Sequence, residues 1–337
     1  MKLGWKGALG ILISAGCLAY IGFTTNWDDA WQQLANANYP LLVLSATMAT
    51  LMFPIRALKW RAILDPVQKV SFGPLWRSVA IGMMVNNVVG FRTGEPARAY
   101  ALTREVPSIS FPVSLASLAV DRAFDAMVVI LLTAIAMFMP GAPVGTTAVV
   151  RHGAILFLIP ALALIAGLYA LVFFPDTLIR LFELLARKVS PAVERRGSQV
   201  LRSFAGGLSI LKSPTHFTAV LGWTILHWLV QPVAFWLAFK AVGLPIDGSA
   251  AWSAALLVQG AIVVGVSVPS TPGYFGPFEI AAGAALPLYG VSATNAITWA
   301  VVFHIASFIP ITLIGAHYFA RLGIKMSDVG AAASAPQ

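Results

Sequence analysis

The chain has 337 residues, 58% of them hydrophobic and only 10% charged, with a formal net charge of +9 and a mean hydropathy of +0.82. A soluble domain is nearer half apolar and a quarter charged, so a water-soluble globule is excluded and an all-α polytopic membrane protein is expected. The positive charge does not signal nucleic acid, because the basic residues form no stripe or binding motif; they gather beside apolar runs, where they set orientation and meet anionic headgroups.

The apolar residues fall in blocks of about the length of a span, roughly 17–25 residues. Residues 7–23 follow Lys2 and Lys6 without a convincing cleavage site, and read as an uncleaved first span. They contain the single cysteine, Cys17, which leaves neither an intramolecular disulfide nor a Cys-based zinc site open. The loop 24–39 carries Asp28 and Asp29 but no Lys or Arg, so it is expected outside. A second span is read at residues 40–57. From Arg56, near its end, to residue 113 there are eight basic residues, the last being Arg104, a strongly cytoplasmic signature. Residues 75–91 are apolar but flanked by that charge on both sides, so they are expected to enter and turn back as a re-entrant hairpin.

Further spans are read at 113–139, 153–174, 217–242 and 295–320. Residues 175–215 carry seven basic residues and are expected inside. The spacing of Leu178, Leu181, Phe182 and Leu185 predicts an amphipathic interfacial helix, with a second one after Pro191; a plain basic connector is the alternative. Residues 251–268 and 278–290 flank a proline- and glycine-rich break and are expected to dip in from outside, although two short spans would leave the C-terminus on the same side. The result is about six to eight transmembrane helices plus two broken hairpins that face opposite ways, the pattern of an inverted repeat. The domain reading is a single transmembrane unit, residues 1–326, built from a first half (1–174), a connector (175–215) and a second half (216–326). A disordered tail, residues 327–337, follows. Both termini are expected in the cytoplasm, with the protein in the inner membrane.

Two polar breaks carry the functional expectation, since interrupted segments at matching places in two halves point to a transport site. The first runs from Asn86 and Asn87 through Gly90, Arg92, Gly94 and Glu95 to Arg98. Two guanidiniums beside a turn of free backbone N–H groups suit a lipid phosphate; positive-inside anchoring is the plain alternative. The second contains Pro269, Pro272, Gly273, Gly276, Pro277 and Glu279 and no basic residue. Its prolines and glycines, like Gly90 and Gly94 in the first, fit a hinge or gate. Glu279 can cap the following helix, or pair with a substrate cation or with an arginine of the other half. Asp121, Arg122 and Asp125 lie within a span, where each charge costs on the order of 2.5–3.5 kcal/mol. The local set has a surplus negative charge and calls for a basic partner, with Arg92 or Arg98 as candidates; it either holds helices in register or lines a substrate path.

Signatures of catalysis are missing. The five histidines have no metal-ligand spacing, and no nucleotide fingerprint or nucleophile elbow occurs. No cofactor or metal is expected. His227 and His304 lie in spans, and of the two His304 is the stronger functional candidate, being in the span after the second break.

Taken together, several segments resemble the transmembrane domain of lysylphosphatidylglycerol synthases and its stand-alone, flippase-like relatives. These are Arg56-Ala57-Leu58-Lys59-Trp60, then Asn87 through Gly94-Glu95 with Arg98, then Val120-Asp121-Arg122 with Asp125, and last Pro269-x-x-Pro272-Gly273-x-x-Gly276-x-x-Glu279. Their order and spacing run through almost the whole chain. The resemblance implies lipid translocation or related lipid handling, and gives no support for aminoacyl transfer, because no soluble synthase domain follows the last span. The chain departs from the pattern at His304, where relatives carry arginine. Expected partners are membrane lipids with anionic headgroups, a lipid-modifying enzyme and a second copy of the chain. A non-catalytic partner role and an integral membrane lipid transferase are the alternatives to a flippase or scramblase.

Overall fold

The computed structural model describes residues 5–89, 93–143, 213–267 and 272–334, together with residues 173–187 and scattered positions between 159 and 202. Every regular element among them is helical. In chain order these are α1 (Trp5–Thr24), α2 (Trp27–Ala35), α3 (Tyr39–Leu64), α4 (Phe72–Val88), α5 (Gly94–Glu105), α6 (Phe111–Phe138) and α7 (Pro175–Ala186). They continue as α8 (Pro214–Ala241), α9 (Gly248–Gly265), α10 (Pro277–Ala285), α11 (Ala293–Arg321) and α12 (Met326–Ser334).

Helices α3, α8, α9 and α11 are long and apolar enough to cross a bilayer. Helix α6 is just as long, at 28 residues; what distinguishes it is the Asp121, Arg122 and Asp125 set in its middle. Helices α5, with 12 residues, and α10, with nine, extend about 18 Å and about 14 Å, well short of a hydrocarbon core of about 30 Å. Neither can cross alone, so α4–α5 and α9–α10 are helical hairpins with a break at each tip.

The breaks have different origins. The first follows Val88, and Thr93 is the N-cap of α5. At the second, Gly273 and Gly276 take φ of 74° and 97°, and Tyr274 takes 60°. The left-handed region is open to glycine but costs a bulky side chain, so this break holds strain at Tyr274. Pro277 then opens α10 with no N–H to leave unsatisfied.

The helices pack in pairs that correspond across the two halves. Helices α3 and α8 pack on each other, α4 packs on α11, and α9 packs on α6. Likewise α5 lies against α4 and α6, as α10 lies against α9 and α11. Exchanging α3–α6 with α8–α11 therefore maps the contacts onto themselves, as an internal twofold repeat requires. Two apolar cores follow from it. One centres on Trp60, Phe124 and Leu132 in the first half, the other on Phe235, Phe239, Trp299 and Phe303 in the second.

Some elements differ from the sequence expectation. Residues 40–57 are only the front of α3, which continues through the basic segment to Leu64 because Arg56, Lys59 and Trp60 are buried rather than hydrated. The loop between α1 and α3 contains α2, capped by Asn26, whose side chain accepts from the Asp28 and Asp29 N–H groups; it exposes Trp27 and Trp31, suited to a membrane interface. The tail expected to be disordered forms α12 as far as Ser334, because Val329 and Ile324 bury against Ile81 and Ala101. Helix α7 agrees with its amphipathic reading and exposes Leu181, Leu184 and Leu185. The span expected at 153–174 and the helix expected after Pro191 lie largely outside the described residues.

Candidate functional site

The site begins in the C-terminal part of α3. Arg56 and Lys59 are three residues apart and so share a helix face, which turns toward α6. There Asp121 and Asp125, four apart, share the facing stripe. Lys59 Nζ lies 2.6 Å from Asp121 Oδ1 and 2.5 Å from Asp125 Oδ1. Arg56 Nη2 lies 3.0 Å from Asp121 Oδ2 and 3.3 Å from Asp125 Oδ2. Trp228 of α8 donates its indole N–H to Asp125 at 2.7 Å. Lys59 and Asp121 are wholly buried, in the setting where an ion pair survives only with several partners on each charge.

Arg98, from the second turn of α5, completes the cluster. Its Nη1 lies 3.2 Å from Asp121 Oδ2, and its guanidinium carbon sits 3.9 Å above the centre of the Trp60 ring, an attractive cation–ring geometry. Trp60 is itself fixed by an indole hydrogen bond to Ser117 Oγ. Three cations thus face two carboxylates. The surplus falls on Arg98, which is 4% exposed and whose Nε and Nη2 have no hydrogen-bond partner among the described residues. Arg56 Nε is in the same state. An unpaired buried donor costs about 1–3 kcal/mol, and more when charged.

Arg56 and Arg98 are also among the residues that line a small cavity, with Gly82, Asn86, Glu95 and Arg122. About 10 Å³ is open to the centre of a water-sized sphere, room for about one water. Glycines bring its walls together: a Cβ on Gly94 would lie 2.1 Å from the Gly82 carbonyl oxygen. Asn86 Oδ1 accepts the Gly94 N–H at 2.8 Å and pins the start of α5. Asn87 donates to Thr312 of α11, linking the first break to the second half.

The structure redistributes the expected partners. Asp121 and Asp125 are paired chiefly by Arg56 and Lys59, with Arg98 third. Arg122 does not belong to that set, since its Nη2 pairs with Glu95 Oε1 at 2.7 Å on a half-exposed surface. Glu279 pairs within its own half: Oε2 accepts the Gly276 N–H at 2.7 Å and Oε1 lies 2.7 Å from His304 Nδ1. It therefore caps α10 and meets the His304 imidazole at once. Arg92, Gly90 and Pro269 lie outside the described residues. Of the remaining gate positions, Pro272 and Gly273 form a short 3-10 turn, and Gly276 sits against Cys17 and Ser14 of α1. Arg56 and Lys59 are the site residues that the charge reading assigned to orientation alone. Two cations on one face of one span and two acids on one face of another were a signal that they meet.

Residues 7–315 match the family described as the lysylphosphatidylglycerol synthase TM region. The chain belongs to this family, and is accordingly a multi-pass membrane protein. It is 32% identical over 119 residues to a UPF0104 membrane protein of Methanothermobacter thermautotrophicus, covering 35% of this chain and 34% of that one. It is 27% identical over 121 residues to the glycosyltransferase AglD of Haloferax volcanii, covering 36% of this chain and 19% of that protein. The matches thus span about a third and about a fifth of these curated relatives.

Proposed function

We propose that the protein moves a lipid with an anionic, phosphate-bearing headgroup between the leaflets of the inner membrane, as a flippase or scramblase, with both termini in the cytoplasm. The observation that supports this most is the surplus guanidinium of Arg98, buried with two donor positions unpaired at the edge of a cavity between α4, α5 and α6. A phosphate oxygen is the natural acceptor for such a fork. Arg56 and Asn86 line the same space, and the Glu95–Arg122 pair forms its outer rim. The cavity is too small for a headgroup as it stands, so entry requires the Glu95–Arg122 pair to part and α5 to move away from α6. Acyl chains stay in the bilayer throughout. Nothing in the chain resembles a nucleotide site, and transport would be downhill or ion-coupled.

Native mass spectrometry after gentle purification tests the headgroup site. Wild-type protein should retain anionic phospholipid or polyprenyl-phosphate-linked lipid, and Arg98→Gln should lose it while staying monodisperse. Equal retention by both would remove Arg98 from the headgroup site.

A second reading is that the chain serves as the membrane partner of a lipid-modifying enzyme. It is favoured by the synthase in the family's description and by the glycosyltransferase name of the haloarchaeal relative. Co-purification of such an enzyme, with no lipid movement by this chain alone, would support it over transport.

A further inference from the structure

The correspondence between the halves extends to one pair of side chains. Glu95 stands in the first turn of α5 and Glu279 in the first turn of α10. Each glutamate meets a nitrogen-bearing side chain at the same depth of the next long helix: Arg122 is eleven residues past Phe111 in α6, and His304 eleven past Ala293 in α11. Both contacts are 2.7 Å. The two pairs are therefore counterparts that differ in one chemical respect. A guanidinium is permanently charged, whereas an imidazole gains or loses a proton between about pH 5 and 8.

His304 is buried among aromatic rings. Its ring is 7% exposed and lies nearly parallel to the rings of Phe275 and Phe278, with centroids 4.5 and 4.2 Å away. Aromatic faces attract a cation. Among the described residues, the titratable groups beside it are Glu279 of α10 and, behind Gly276, Cys17 of α1. Several charges on the other elements packed on α11 have partners of their own. Arg56 and Lys59 of α3 go to the two aspartates, and Arg77 of α4 goes to Glu105. His227 of α8 meets the Met52 carbonyl, Lys240 pairs with Asp247, and Asp29 of α2 binds the Asn26 side chain.

We propose that Glu279 and His304 form a proton site that locks the second break when occupied and frees it when empty. Occupation takes one proton from water, so that a carboxylate and a neutral imidazole become a carboxylate and an imidazolium; release reverses this, and no other bond is made or broken. The proton belongs to the pair rather than to either group. In the occupied state the imidazolium ties Phe275 of the break and the first turn of α10 to α11. In the empty state the ion pair and the cation–ring attraction are lost, and the strained turn around Tyr274 loses its charged tie to α11 while Phe275 keeps its ring contact with Phe308. The coupling to lipid movement rests on the translocation reading, whereas the proton site itself does not.

Two measurements separate the claims. In nanodiscs, the ¹⁵N signals of His304, assigned by their loss in His304→Gln, should titrate in one step between about pH 5 and 8, and Glu279→Gln should displace that step. Signals that stay constant across this range overturn the proton site, whether or not lipid moves. In liposomes, wild-type translocation should rise with pH by up to about tenfold per unit on the titrating limb. His304→Arg restores the permanent charge of the counterpart pair, and should hold the rate at the low-pH value throughout. A flat wild-type profile, or a His304→Arg profile that still rises, overturns the coupling. Absence of movement at every pH, with His304 titrating, would defeat the translocation reading and leave the proton site standing.

Discussion

At the scale of single residues, the buried charges are not equivalent. Lys59 bridges both aspartates and is itself wholly buried, so its removal takes the nearest cation from both carboxylates at once in an apolar core. Breaking such a set by deleting one partner costs about 3–5 kcal/mol. Arg98 is the surplus cation, and Asp121 keeps Arg56 and Lys59 without it. Lys59→Met should therefore lower the thermal transition in detergent strongly, while Arg98→Met leaves it unchanged or raises it. Equal losses in the two variants would contradict the assignment of the surplus charge to Arg98. The ordering follows from geometry and was not legible in the sequence. Asp121 and Asp125 called for a cation, and Arg98 was among the named candidates, but Arg56 and Lys59 lie at the end of an apolar run, where cations ordinarily mark the cytoplasmic side.

At the scale of elements, the two hairpins set the shape of the site. Their breaks were legible because proline, glycine and asparagine interrupt apolar runs that otherwise have no reason to stop. Their lengths were not, since an apolar stretch does not reveal how much of it is helix. Close approach of α4 and α5 depends on Gly82 and Gly94, whose added Cβ atoms would meet each other's backbone at 2.8 and 2.1 Å. Gly94→Ala should cost about 1–3 kcal/mol through overpacking and separate the cavity walls. Gly222→Ala in α8, where an added Cβ meets nothing within 4 Å, should stay within about 0.5 kcal/mol of wild type. Denaturation of both variants in the same detergent checks the contrast. A harmless Gly94→Ala would show that the tight hairpin does not shape the site.

At the scale of the whole molecule, two halves share one packing scheme but not one chemistry. The first half gathers Arg56, Lys59, Arg98, Asp121 and Asp125 beneath its break. The second has an aromatic core and a single Glu279–His304 pair beneath the strained one. The resemblance of the two broken stretches pointed toward a repeat, and the matching helix contacts give it physical content. The asymmetry emerges only when partners are known, because it lies in which charges meet rather than in which are present. On the transport reading proposed above, one half holds the phosphate and the other gates its passage. The most direct measurement is transbilayer movement of fluorescent phospholipids in liposomes containing the purified protein, compared across anionic and zwitterionic headgroups and repeated with Arg98→Gln. Faster movement of anionic lipid than in protein-free liposomes, lost in Arg98→Gln with its fold intact, is the result the account predicts. Rates equal to those of protein-free liposomes for every headgroup would contradict it.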